Sequence, residues 1–176
     1  VLEAMGKTVW ALNEDGTPEH LEFLEGAAGV ERPSGPVDAE VVIALDTANR
    51  ERLGANCLEA VREVPLWLNI DHHISNEQYG DHVLIDSTAA ATGEILYAII
   101  KELGLPLPEA ARDALYVAAS TDTGSFQYSN TTMRTHEMAA DLVGRGLDVA
   151  TVTARLYHHY PFRRVELLTV LLGTLE

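Results

Sequence analysis

Leu66-Trp67-Leu68-Asn69-Ile70-Asp71-His72-His73 is an apolar run that stops at a carboxylate followed by two imidazoles. A short apolar run of this length fits a buried strand, and the polar triplet marks its end. Upstream, Val41-Val42-Ile43-Ala44-Leu45 repeats the pattern and stops at Asp46. Between the two runs, Arg50 to Glu63 is helical in composition. The order strand, helix, strand is that of a parallel crossover. Ligands of such sheets bind beyond the carboxyl ends of the strands, which puts Asp46 and Asp71 at the binding edge.

Downstream, Val83-Leu84-Ile85 reads as a further strand, and Ser87 or Thr88 as the N-cap of a helix that continues to Leu103 and stops at Gly104. Pro106 and Pro108 lead into another helix, from Glu109 to about Ser120, with Ala111, Leu115 and Ala118 on one face and Asp122 at its end. Three more helices follow, over Met133 to Val143, Val149 to Tyr157 and Phe162 to Leu175. On the other side of the opening run, Thr8 to Leu12 reads as a buried strand, and Pro18 opens a short helix through Leu24. Glu25 to Val37 reads as a loop. Val1 to Met5 reads as the tail of an apolar helix closed by Gly6, and with Val1 rather than Met in first place the chain is expected to be part of a longer one. The fold class expected is α/β, a mostly parallel sheet with helices on both faces and a helical C-terminal half.

A length of 176 residues fits one domain, and a 47% hydrophobic fraction can bury a core. The excess of 27 Asp and Glu over 12 Lys and Arg opposes a long groove that tracks nucleic-acid phosphates. A small phosphorylated substrate remains compatible, because bound divalent ions reverse the field locally. No run is long and apolar enough for a membrane span and no signal peptide is visible, so a cytoplasmic protein without a membrane partner is expected. Cys57, the single cysteine, reads as a reduced, small buried hydrophobe.

Alone, Asp71-His72-His73 could be a solvated polar turn, Asp46 a helix N-cap, and Asp122 a capping or Asx-turn residue. Adjacent strands, however, deliver Asp46 and the triplet to one edge. Asp46, His72 and Asp122 together make an oxygen-rich set without thiolate. It suits manganese, with magnesium or iron as competitors, and argues against a structural cysteine-type zinc site. His158-His159 reads more simply as an exposed pair at a helix end than as a second ligand pair. His20, His82 and His136 have no converging partners. Phe126 and Tyr128 could stack a base, but packing against the core is favoured for such alternating aromatics.

Asp46-Thr47, Asn69-Ile70-Asp71-His72-His73 and Thr121-Asp122-Thr123-Gly124-Ser125-Phe126-Gln127-Tyr128-Ser129-Asn130-Thr131-Thr132 resemble the DHH phosphoesterases. More narrowly, they resemble the branch of bacterial oligoribonucleases and pAp phosphatases. The resemblance covers nearly the whole chain. The third motif is the most specific, being unlike the matching segments of RecJ nucleases and family II pyrophosphatases. Residues 1–160 are then expected to be a DHH domain without its first strand and first motif, a histidine and an Asp-x-Asp pair. Residues 161–176 are expected to be a connecting helix toward a C-terminal substrate-binding domain. By position, the resemblance implies that Asp46 bridges two metal ions, two Mn2+ with Mg2+ as the alternative, and that His72 and Asp122 complete the ligands of one of them. His73 would face the substrate phosphate and Asp71 would orient the histidine pair.

The implied activity is hydrolysis of very short RNA oligonucleotides to mononucleotides, and of the 3'-phosphate of pAp, by a metal-activated water. Short RNA, pAp or dinucleotides are the expected partners, not long duplexes, and a homodimer is compatible. Two alternatives stand beside it: a cyclic or linear dinucleotide phosphodiesterase of the same family, and a non-catalytic nucleotide-binding module. Without the first motif, the 176 residues alone are expected to bind metal weakly and to hydrolyse little.

Overall fold

In the computed structural model, which describes residues 1–157 and 162–174, the two apolar runs become adjacent strands. The chain runs β1 (Ala11–Leu12), β2 (Val30–Glu31), β3 (Val41–Leu45), α1 (Ala55–Ala60), β4 (Leu66–Asp71), β5 (His82–Ile85), α2 (Thr92–Glu102), α3 (Glu109–Asp122), α4 (Met133–Gly144), α5 (Val149–Tyr157) and α6 (Phe162–Leu172). β3, β4 and β5 form a parallel sheet in that order, with Leu45 level with Ile70 and Asp71 level with Ile85. β1 and β2 form a separate parallel pair. The result is an α/β architecture of parallel sheets flanked by helices. Among the described residues no helix is long and apolar enough to cross a membrane.

Two apolar clusters hold this together. The larger lies within the helical C-terminal half, where Ile100, Leu115, Tyr116, Met138, Leu142 and Val152 pack among α2, α3, α4 and α5. The smaller joins α2 to the sheet, with Ile70 of β4 against Ala89 and Ile95. Side chains alternate along each strand, so Ile70 shares its face with Leu45, its level partner on β3. On that face Ile70 is buried, while Val41, Ile43 and Leu45 of β3 and Leu84 of β5 are about two-fifths exposed. The opposite face carries buried Ala44, Trp67, Asn69 and Asp71.

Several local expectations also change. The strand expected over Thr8 to Leu12 shrinks to Ala11–Leu12, with Trp10 exposed, because its partner β2 has only two residues and lies within the stretch expected to be loop. The short helix after Pro18 is a 3-10 turn, Glu19–Leu21, and the N-terminal helical tail is a 3-10 turn, Glu3–Met5, closed by left-handed Gly6. Arg50 to Glu63 is a 3-10 turn, Arg50–Leu53, followed by α1 rather than one helix. Gly54, at φ 91° and ψ 154°, interrupts it. Neither Ser87 nor Thr88 caps α2, because Asp86 Oδ1 accepts the Thr88 N–H and hydroxyl in a turn of its own and the helix begins at Thr92. α3 runs two residues past Ser120, so that Asp122 is its last residue.

Candidate metal centre

Parallel register sets the site. Because Leu45 and Ile70 are level, the residues that follow them, Asp46 and Asp71, lie at the same edge of the sheet. They then part in role. Asp46 has a left-handed backbone, φ 58°, which is uncommon for a residue with a side chain and is found where structure over-determines it. Its N–H still donates to Ile70 O at 3.1 Å, and its Oδ1 accepts the Thr92 hydroxyl at 2.8 Å. Asp71 stays in the strand with its side chain fully buried.

Asp122 arrives from α3. Directly after it, Gly124, Ser125 and Phe126 have φ of 54°, 61° and 63°, a left-handed turn pinned by buried Thr123. The Thr123 carbonyl accepts the N–H groups of Gln127 and Tyr128, and its hydroxyl accepts that of Phe126. The turn sends the Phe126 ring toward Tyr116 and leaves Tyr128 63% exposed. Asn130 Nδ2 donates to the Asp122 carbonyl at 3.1 Å and to the Ala90 carbonyl at 3.2 Å.

His72 is the meeting point. Its Nε2 lies 3.5 Å from Asp46 Oδ1 and 3.7 Å from Asp122 Oδ2. Its Nδ1 faces the Ala89 carbonyl at 3.2 Å, and since a carbonyl only accepts, the proton belongs on Nδ1. Two carboxylate oxygens and an imidazole nitrogen therefore face one another, an arrangement that a divalent cation satisfies once Nε2 carries no proton. Burial pushes the Asp122 carboxyl upward and the Asp46 carboxylate adds to this, partly offset by His72 and His73. Carboxylate and imidazole donors of this kind fit a divalent ion. Ligand atoms of Asp46, Asp71, His72 and His73 also lie within 4.8 Å of one another.

The oxygens of Asp71 are already committed. Oδ1 takes His73 Nδ1 at 2.7 Å and the N–H groups of His72 and His73, and Oδ2 takes Asn76 Nδ2 at 2.7 Å. Burial pushes its carboxyl up, but these hydrogen bonds, led by Asn76 and His73, bring it below the ordinary value. Asp71 therefore stays ionised and fixes both histidines by side chain and backbone. His73 is left with Nε2 available and its ring edge-on to His72, centroids 4.7 Å apart.

The structure thus brings Asp46, Asp71, His72, His73 and Asp122 to one place. His20, His82 and His136 lie on the surface, His136 stacked on Phe126, while His158 and His159 fall outside the described residues. Cys57 is buried. Sequence reasoning missed Asn69, Asn76, Thr92 and Asn130. Asn69 could have been noticed as a polar residue inside an apolar strand. It is fully buried and accepts from Asn76 at 2.9 Å. The others lie in loops and a helix start where polar residues are ordinary.

No family model matches the chain. Among proteins of known name it is 30% identical over 164 residues to the bifunctional oligoribonuclease and PAP phosphatase NrnA of Thermus thermophilus, covering 91% of this chain and 48% of that protein. It is 31% identical over 146 residues to the protein of the same name from Bacillus subtilis, covering 81% of this chain and 45% of the relative. The chain spans about half the length of the curated relatives it matches. Among solved structures, an exopolyphosphatase-related protein from Bacteroides fragilis superposes with a TM-score of 0.87 over 98% of this chain and 54% of its own, at 19% identity.

Proposed function

Because this chain is homologous over most of its length to NrnA-type DHH phosphoesterases, we propose that it carries a metal-holding part of a phosphoesterase site. The parent protein, on this proposal, hydrolyses very short RNA oligonucleotides to mononucleotides and removes the 3'-phosphate of pAp. The observation that carries the reading is the convergence of Asp46 Oδ1, His72 Nε2 and Asp122 Oδ2, two carboxylates and an imidazole at one point. These three residues hold one divalent ion, manganese by donor type with magnesium as alternative. Asp46, half exposed, would be free to contribute to a second ion in the complete protein. Divalent ions held there would supply a water of lowered pKa and would neutralise charge developing on the phosphoryl oxygens.

The protein groups do the rest. Asp71 holds both histidines in place, and His73 presents Nε2 to the substrate phosphate. Tyr128 supports a nucleotide over an inorganic chain. Its ring rests against Gly124, two residues after Asp122, where a Cβ would come within 2.3 Å of it, and is 63% exposed. Aromatic faces of this kind stack nucleobases with little sequence preference. The exposed Phe162, Leu167, Leu168 and Val170 support reading α6 as the connection toward a substrate-binding domain.

The test is made on the full-length protein with manganese, comparing a ribodinucleotide, pAp, cyclic di-AMP and pyrophosphate. Dinucleotide and pAp are expected to be hydrolysed, and His72→Ala is expected to abolish both activities. Normal rates in His72→Ala, or phosphate release from pyrophosphate alone, would overturn the proposal.

A further inference from the structure

The candidate ligands are held from behind by one short connection. Between β5 and α2 the chain reads Asp86-Ser87-Thr88-Ala89-Ala90-Ala91-Thr92. Three consecutive buried alanines bring no polar side chain, so the backbone of this segment makes the contacts. The Ala89 carbonyl faces His72 Nδ1 at 3.2 Å, and the Ala90 carbonyl accepts from Asn130, which also binds the Asp122 carbonyl. The Thr92 hydroxyl donates to Asp46 Oδ1 at 2.8 Å. A shift of this segment would therefore move partners of His72, Asp46 and Asp122 together.

What fixes the segment is Glu94, 1% exposed on the first turn of α2. Its Oε2 accepts the Ala90 N–H at 3.3 Å and the buried Thr135 hydroxyl of α4 at 3.0 Å. Its Oε1 forms an ion pair with Arg134 Nε at 2.8 Å without an aligned hydrogen bond, and Arg134 Nη1 donates to Asp86 Oδ2 at 2.7 Å. Arg134 thus ties the first residue of the segment to the carboxylate that holds its middle. The Thr88 hydroxyl first, and then Arg134, hold the Asp86 carboxyl down to about 2, so this end of the clamp stays ionised. A buried ion pair is weak evidence for stability, since apolar residues of similar volume often serve as well. Its placement behind the ligands favours a different role.

We propose that Glu94, clamped by Arg134, is a positioning residue that sets the metal affinity of the site by fixing residues 86–92. The proposal rests on the metal-site reading above. Mn2+ alone is the probe, titrated calorimetrically into the full-length protein, with the metal-free melting temperature measured alongside. The double variant Glu94→Met/Arg134→Met replaces the pair by apolar side chains. It is expected to melt below the wild type without metal, because the buried Ala90 N–H and Thr135 hydroxyl lose their acceptor, and, where folded, to bind Mn2+ about 10- to 100-fold more weakly, the usual cost of losing a residue that orients ligands. Saturating Mn2+ should restore most of kcat, a split that a loss of folding would not produce. Glu94→Gln, which keeps an acceptor for Ala90 and Thr135 but loses the ion pair, tests the same point if the double variant fails to fold. Unchanged Mn2+ affinity in either folded variant overturns the proposal. If His72→Ala weakens Mn2+ binding while the Glu94 variants do not, this inference alone fails; if His72→Ala leaves Mn2+ binding intact, the metal-site reading fails with it.

Discussion

His72 organises the site because its two nitrogens have different neighbours, a carbonyl at Nδ1 and two carboxylates at Nε2. Asp122 bears the cost of that arrangement. Burial raises its pKa, so in the metal-free fold its ionised form is penalised relative to the unfolded chain, and the penalty is relieved as pH falls through its folded pKa. Asp122→Asn is therefore expected to melt at or above the wild type at pH 7 without metal, with the gap closing on acidification. Mn2+ should reverse the ranking. At a hundredfold excess over Kd a ligand adds about 2.7 kcal/mol, roughly 5–10 °C for a chain of this size, to the wild type but not to Asp122→Asn. Differential scanning calorimetry with and without Mn2+ checks both halves, and an equal Mn2+ shift in both proteins would contradict the ligand role. The sequence showed Asp46, His72 and Asp122 as candidates because each ends an apolar element. It could not show that Asp71 is fully bonded, since Asn76 and the two histidine N–H groups converge on it only through a loop fold.

At the scale of elements, β3, β4 and β5 and the helices from α2 to α5 were legible because their apolar residues recur with strand or helix period over long enough runs. What was not legible depends on partners distant in sequence. α1 begins at Ala55 because the Glu14 carboxylate, from the turn after β1, accepts the N–H groups of Asn56 and Cys57 at the helix start. The Cys57 N–H leads in holding that carboxyl below its ordinary range. Nothing near Ala55 in sequence announces this cap. Gly54 makes room for it: its φ is 91°, and a Cβ there would lie 2.3 Å from Glu14 Oε2. Gly54→Ala is thus expected to lose about 1–3 kcal/mol of stability through backbone strain, together with the cap. Gly144, with open space around it at the end of α4, should accept alanine without loss. Urea denaturation of the two variants separates them, and equal midpoints would remove the proposed role of Gly54.

Across these 176 residues, charge bears on how an anionic substrate would meet the proposed metal site. The chain carries a formal net charge of -15, and arginines such as Arg112, Arg134 and Arg145 are already paired with Asp113, Asp86 and Glu94, and Asp141. Around His72 the described charges are the carboxylates of Asp46, Asp71 and Asp122. An anionic phosphate meets an unfavourable field there unless a cation reverses it. Nucleotide binding should therefore depend on divalent metal: removal with EDTA is expected to abolish pAp binding, and Mn2+ to restore it. The same balance limits how many phosphates can be engaged. Each neutralised phosphate on a single strand contributes about -0.7 to the slope of log K against log salt. A short oligonucleotide held at one metal site should give a slope no steeper than roughly -2, where a protein tracking a long strand gives a much steeper one. Titrating a fluorescent trinucleotide over a range of KCl concentrations, with Mn2+ fixed, measures this slope. Binding that survives EDTA, or that falls steeply with salt, would mean that side-chain cations rather than metal ions hold the phosphate.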